Sequence, residues 1–519
     1  MSTLRWLALW LLVPFGAMSQ TDLTVKSLSK IQFADQFPGA DACIQIQRAI
    51  AALPVNGGEV DARGFLGFLT CSVNPFANIL MHPGESVHLY LAAGSTFTTS
   101  VQWIIPLGSV VTGGGSAPGG GRGTTLVANR ATFPANTAVV SLGEFGQSEG
   151  PLIENITIDC NHVRGSIGIF SDRVEELGGV RNVSVINYKA IGIEMLDQAL
   201  LPPRTGGQPE NYILDELQLS GDAGSTCIRI RVGSGGQRGG GHITCTSSLV
   251  ESGNLSCSAG VVTATFPANK IPNGTAIGVE SGTNPHLNGL FTVTSSSSTQ
   301  LQWKQPDCNG ASSGAVVGAM SQNGVQLDGS DGVYDRIHCE FTVDCVLIDS
   351  EPALNGWVTR ALTISGVTGQ SSVKNIVHLG HAAHPEDIIL TALQRCIGPV
   401  PATQQCATNV LQDDLNSVTL QESSLAWYLV GHASSGAVPA LLSSSPSVNW
   451  SLPNPSLIFR NGTVFSKLGK QNDGSLTYCS DCKVAAPSAC STANPSACVC
   501  RSGGTGAFAK RLNGAWFCN

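Results

Sequence analysis

Charge is scarce in this chain: Asp, Glu, Lys and Arg together make up 12% of 519 residues. The basic residues form no stripe and the net charge is −8, which argues against nucleic acid as a partner. Beyond the N-terminus no apolar run is long enough to cross a bilayer. Helical periodicity is sparse too, and nothing long enough for a βαβ crossover separates the apolar runs. That excludes a helical bundle or coiled coil and disfavours a doubly wound sheet or a barrel with outer helices. HExxH is absent, and the Gly-rich loops 113–123 and 233–241 lack a Lys followed by Ser or Thr. They read as turns rather than phosphate cradles.

What the chain does have is glycine (60), a 42% hydrophobic content that can bury a core, and 17 cysteines. The cysteines fit an oxidising compartment. Arg5 precedes the apolar run Trp6 to Phe15, with Ala17 and Ser19 at the −3 and −1 positions of a cleavage site. Residues 1–19 therefore read as a secretory signal peptide. Asp41 to Leu53 carries Ile46, Ala49, Ile50 and Leu53 at helical spacing and ends at Pro54, Asn56, Gly57 and Gly58. After it come short alternating runs such as Ile153–Cys160, Val180–Ile186, Tyr212–Leu219 and Val358–Ile364, each followed by a Gly- or Asn-bearing turn. Where neighbouring runs are clear they recur every ~25–30 residues, a solenoid period. A β-sandwich is the structural alternative.

Phe37-Pro-Gly-Ala-Asp-Ala-Cys-Ile-Gln-Ile-Gln-Arg-Ala-Ile-Ala-Ala-Leu53, followed by Gly57-Gly-Glu-Val, resembles the opening of the pectate-lyase-like superfamily, in its rhamnogalacturonase/epimerase-like branch. Leu89–Phe97, Ile104–Gly115 and Thr124–Val127 are similar as well. The resemblance implies an all-β, right-handed parallel β-helix whose open end is capped by the N-terminal helix. Its members include pectin and rhamnogalacturonan lyases, polygalacturonases, epimerases and phage tailspikes. The polygalacturonase motifs are met only in part: Ile158-Asp-Cys-Asn161 and Gly380-His381-Ala382 are echoes, and no Arg-x-Lys occurs.

Two segments stand outside the solenoid. Residues 242–320 hold short strands separated by Asn-Gly and Ser-rich turns and read as an inserted small β-domain. Residues 469–519 carry Cys479, Cys482, Cys490, Cys498, Cys500 and Cys518, a disulfide-stapled module, with zinc as the alternative. The solenoid is then split into 33–241 and 321–468. Cys160 and Cys339 fall on the inward parity and read as core-filling thiols, and Cys396 and Cys406 flank a Pro-rich turn where they could pair. Asn155, Asn182, Asn254, Asn273, Asn449 and Asn461 head glycosylation sequons.

The densest chemistry lies between 328 and 344. Asp328, Asp331, Asp335, His338, Glu340 and Asp344 are the candidate catalytic residues. Strand parity puts Ile337, Cys339, Phe341 and Val343 inside and His338, Glu340 and Asp344 outside. Asp159, Asn161, Arg336 and Arg360 are candidate substrate-binding residues, and Lys374 is a further basic one. Glycoside hydrolysis needs an acid to protonate the leaving oxygen and a carboxylate to activate water or attack. Lyase chemistry needs a cation, such as calcium, to acidify the proton beside a uronate carboxylate, and a basic residue to take it. His378, His381 and His384, with Glu386 and Asp387 behind them, read as a polar loop before a metal site. Asp413 and Asp414 are adjacent, so on a strand they point to opposite faces.

The expectation is a secreted β-helix protein acting on uronate-containing polysaccharide by lyase or hydrolase chemistry. The competing class is a non-catalytic, tailspike-like glycan-binding surface protein. Two carboxylates, or carboxylates with Arg or Lys, on adjacent coils of one groove would discriminate between them.

Overall fold

The computed structural model describes residues 30–77, 86–117, 122–143, 148–172, 174–175, 178–196, 212–232, 242–281, 283–351, 359, 361–380, 388–395, 406–414, 418–420, 424–430, 440–443, 476–479, 482–484, 499–503, 507–512 and 515–518. The signal segment, Arg360, His381, His384, Glu386, Asp387, Cys396, Cys490, Cys498, Asn449 and Asn461 lie outside the described residues.

Parallel strands dominate, and their registers define a β-helix whose coils present three faces. The first face stacks Ile31–Phe33, Gly57–Ala62, Ser86–Leu91 and Val110–Thr112 onto residues 152–154, 179–181 and 213–215 of longer strands. It resumes with Gly332–Asp335, Leu362–Ser365 and Ile388–Gln394. The second face runs from Gly67–Cys71 through Ser95–Thr99 and Thr125–Ala128 to residues 156–159, 183–186 and 217–221. Ile243–Ser247, Ile337–Glu340 and Thr368–Gln370 extend it. The third face stacks Trp103–Ile105, Ala138–Leu142, Ile167–Ser171, Ile191–Leu196, Thr226–Arg231, Ser321–Asp328, Thr342–Asp349, Asn375–Leu379 and Asn409–Asp413.

The corners explain how an alternating sequence becomes a coil. Between the first and second faces one residue per coil takes a left-handed backbone: Asn155 (φ 57°), Asn182 (φ 48°), Glu216 (φ 52°), Arg336 (φ 49°) and Ala392 (φ 53°) among them. Asn tolerates this conformation better than other side chains. Adjacent coils add support there, since Asn182 Nδ2 donates to Asn155 Oδ1 at 2.7 Å. The space between faces is filled by rows of stacked branched side chains. One row runs Val140, Ile169, Ile193, Ile228, Val325, Val346, Val377 and Leu411, all fully buried. Cys160, Cys339 and Ile364 share this continuous core. Cys339, however, is bonded to Cys345, so it is no free thiol; Cys160, Cys227 and Cys245 are the buried free ones among the described residues.

The helix is Ala42–Ala51, capped by Asp41, whose carboxylate accepts from Ile44 N at 2.9 Å. It buries Ile46, Ala49 and Ile50 against the first coils, and a Cys43–Cys71 disulfide ties it to the second face. Past Asp413 the described strands pair antiparallel. Val418–Leu420 and Ser424–Val430 pair antiparallel onto the last coils, and Ala440–Ser443 pairs antiparallel onto Ser424–Val430. A returning strand covers backbone groups that a parallel stack would leave open at its edge.

Between coils, Val250–Ser258, Val261–Thr265, Ala276–Glu280, Gly289–Ser296, Gln300–Lys304 and Ala311–Ala319 close an antiparallel barrel. It has its own core around Trp303, Val262, Ile277 and Leu301 and a Cys257–Cys308 disulfide. Ile243–Ser247, within the segment expected to be an insert, instead pairs in parallel on the second face, so the barrel begins only at Val250. The barrel packs closely on the coils, for a Cβ on Gly318 would lie 2.3 Å from the Phe341 ring. In the tail, Cys482, Cys500 and Cys518 pack under Trp516, with Cys500 and Cys518 in a disulfide.

Candidate functional site

The 328–344 segment does not form one strand, and its candidate residues do not share one face. Asp328 ends a third-face strand, Asp335 ends a first-face strand, and His338 and Glu340 belong to the second face. Asp344 returns to the third. The reason is local: Arg336 (φ 49°) and Phe341 (φ 48°) are left-handed corner residues, and each resets the alternation that a parity count assumes to be continuous. Within Ile337–Glu340 the alternation holds, with Ile337 and Cys339 in the core and His338 on the outer side, where it is nonetheless covered, close to Thr368 (3.2 Å) and Glu340 (3.3 Å). Val343 is only half-buried. Arg336 sits exposed at its corner, 3.8 Å from Asp335. Asp159 and Asn161 are engaged in turns: Asp159 Oδ1 accepts from Asn161 N (2.7 Å) and Asn187 Nδ2 (2.9 Å), and Asn161 Nδ2 donates to Ala128 O (3.1 Å).

Asp328 and Asp344 do come together with other groups, on the outer side of the third face. One row across adjacent coils is Glu194, Arg229, Gln326, Leu347, His378 and Gln412. A second is Arg231, Asp328 and Asp349, and a third is Asn323, Asp344, Asn375 and Asn409. Arg229 Nε donates to Asp328 Oδ2 at 2.8 Å, and Gln326 Nε2 donates to the same carboxylate at 3.0 Å. Arg231 holds Glu351 through Nε at 2.7 Å and Nη2 at 3.1 Å, a two-point grip. Farther along, His378 bridges Asp344 (Nδ1, 3.0 Å) and Asp414 (Nε2, 2.9 Å), while Asn375 Nδ2 donates to Asp344 at 2.6 Å.

Burial sets the acid strengths here. Asp328 is 2% exposed and Glu194 7%, and loss of water pushes both carboxyls above their ordinary range. Arg229 opposes that shift at both acids without cancelling it, with Arg231 helping at Glu194. At His378 burial opposes the charge, but the Asp344 and Asp414 carboxylates outweigh it and lift the imidazole to about 9. The face thus offers two acids inclined to keep a proton, fixed guanidinium cations between them, and an imidazolium held by two carboxylates. That combination can donate a proton and hold an anionic group.

Glu194, Arg229, Arg231 and Glu351 were not among the sequence candidates. A signal was present for the two arginines: Cys227-Ile-Arg-Ile-Arg231 alternates apolar residues with them in a chain with little charge. His378, read as a loop residue, lies on the strand Asn375–Leu379. A calcium ion would need several free oxygen ligands, whereas Asp328, Glu351 and Asp344 are already taken up by Arg229, Arg231 and His378. Among the described residues the grouping close enough to hold a metal is Cys482, Cys500 and Cys518; all three are disulfide-bonded and have no thiolate to offer.

No family model matches this chain, and no curated protein matches it. Among solved structures, the A-module of a mannuronan C-5 epimerase from Azotobacter vinelandii is similar to it at 11% identity and a TM-score of 0.30, over 69% of this chain and 93% of that one. No helix among the described residues is long and apolar enough to cross a membrane.

Proposed function

We propose that the protein is an exported, right-handed parallel β-helix enzyme that cleaves uronate-containing polysaccharide on the outer side of its third face. In this reading the helix Ala42–Ala51 caps the solenoid, the barrel is an inserted domain, and the Cys-rich tail is a separate stapled module. The disulfides support export. One observation carries the chemistry: Glu194 and Asp328, both buried and both weakened as acids, flank Arg229 on adjacent coils. Glu194 gives its proton to the leaving oxygen as the glycosidic C–O bond breaks, and Asp328, as its carboxylate, takes the proton of the water that adds to the anomeric carbon. Arg229 and Arg231 bind the uronate carboxylate, and Asp344, fixed by His378 and Asn375, lies on the same face.

The test is release of reducing ends, together with absorbance from unsaturated uronates, over a panel of acidic polysaccharides. Glu194→Gln and Asp328→Asn should each reduce turnover by about a hundredfold or more, the usual scale for losing a general acid or base. Full activity in both variants would refute this site. Tight binding of a polymer with no turnover of any would instead support the surface-adhesin reading.

A further inference from the structure

A second feature lies where the barrel meets the coils. After four successive second-face strands the chain turns toward the third face, and these turns carry Arg130, His162, Lys189 and Asp222 in order; after the fifth, Leu249 leads into the barrel. The loop between barrel strands Val261–Thr265 and Ala276–Glu280 brings Lys270 and Pro272 over them. Together they line an open cleft of about 570 Å³, within the ~300–1,000 Å³ range of ligand clefts.

Its charge is opposite to that of the chain. Arg130, Lys189 and Lys270 face a single carboxylate, Asp222, in a protein of net charge −8. That carboxylate is well occupied: it lies 2.8 Å from His162 Nδ1, accepts from Ser248 Oγ at 2.8 Å, and sits 3.9 Å from Lys189 Nζ. Asp222 thus positions His162 and Lys189 more than it neutralises the cleft. Arg130 and Lys270 are exposed. Arg130 and Lys189 lie two coils apart, about 10 Å at the rung spacing of a sheet, and Lys270 reaches in from the barrel, so the cations are spread along the cleft rather than converging on one point. Such spacing matches negative charges repeated along a chain better than it matches one compact anion. Leu249 and Pro272 add apolar wall of the kind that packs on sugar C–H faces.

We propose that this cleft binds a linear acidic saccharide, gripping its carboxylate or sulfate groups at separate points between the β-helix and the barrel. That the ligand is a saccharide rests on the function proposed above; that it is a chain of spaced anions does not.

The experiment is calorimetric titration of the full chain with a short oligogalacturonate, a sulfated oligosaccharide of equal length, a neutral oligosaccharide and a single-stranded DNA oligomer. All titrations use the Glu194→Gln background, so that turnover plays no part. Either acidic sugar should bind, with affinity falling as ionic strength rises, and the preferred one identifies the acid group. Arg130→Ala and Lys270→Ala should each weaken binding three- to tenfold, and together more than tenfold, while Lys30→Ala, an exposed cation just before the first strand and outside the cleft, leaves it unchanged. Equal binding of the neutral sugar, tighter binding of DNA, or insensitivity to the double variant overturns the proposal. Failure of the cleavage assay with these results intact would refute the catalytic reading and leave the cleft standing.

Discussion

The first and third faces carry similar outward residues and use them differently. On the first face Asp61, Tyr90, Thr112, Glu154, Arg181 and Asp215 form one row across adjacent coils. Its ion pairs are long where they cross coils, 3.6 Å from Arg181 to Glu154 and 3.8 Å to Asp215, and Arg181 is 45% exposed. Where a contact is short, as from Arg63 to Asp61 at 2.7 Å, the guanidinium holds the carboxyl below its usual range. On the third face the Arg–carboxylate contacts are just as short, yet Asp328 is pushed up, because burial outweighs its partner. Residue type does not decide which acid keeps its proton; access of water does.

That contrast can be broken experimentally. The largest effect should come from Arg231→Leu, which leaves Glu351, 1% exposed, without its guanidinium. The expected cost is about 3–5 kcal/mol, the scale for breaking a buried ion pair by removing one member. Arg181→Leu on the first face should cost ~1 kcal/mol or less. Urea midpoints at unchanged m-value measure both, and equal costs would erase the distinction between the faces.

Next in size is the catalytic asymmetry. Against the hundredfold loss expected for Glu194→Gln, Asp61→Asn and Glu154→Gln should keep turnover within about twofold, since both lie on the first face, away from the proposed groove. Comparable losses on both faces would move the substrate groove to the first.

A smaller effect depends on pH. His378 is raised from 6.5 to about 9, so its ion pairs add stability fully below pH 6.5, and that contribution fades as pH rises through about 9. His378→Gln should therefore cost ~1–3 kcal/mol at pH 6 and little at pH 10. A cost independent of pH would mean that packing, not charge, holds His378. Smallest should be the opposite trend from Glu194 and Asp328. Their raised acids give the native state the greater hold on protons, so stability declines as pH climbs above the ordinary carboxyl range. Glu194→Gln should flatten part of that slope in urea titrations between pH 4 and 8, and an unaltered slope would refute burial as the cause.

Much of this architecture was legible in the residues themselves. The runs around Ile156, Val183 and Leu217 alternate cleanly, and rows of stacked branched residues need only that alternation plus a repeat. The barrel strands around Val262, Ile277, Val293 and Leu301 were legible for the same reason, set off by Asn-Gly and Ser-rich turns. The corners were harder. Asn155 and Asn182 are natural left-handed residues, but Glu216, Arg336, Phe341 and Ala392 adopt the same backbone with no mark in their chemistry. Neighbouring coils impose it on them. Parity was therefore lost at Arg336 and again at Phe341, and His338 and Asp344 were assigned to one face when they stand on two. The partnership of Glu194 with Arg229 and Asp328 was out of reach for another reason: it joins residues far apart in sequence through register alone.

The barrel also bears on how the molecule assembles. Its first and last strands pair with each other, Val250 against Gly318, so once folded it brings the two ends of a long excursion side by side. The coil registers on either side, Cys245 with Cys339 and Ile228 with Val325, then meet as though joined by a short turn. An unfolded barrel would leave a wide loop to be closed by chance, at an entropic cost that grows with its length. Solenoid growth past Ser247 thus waits on a local folding event. Damage to the Trp303 core should appear first as slow or misassembled C-terminal coils, in residues that Trp303 never touches.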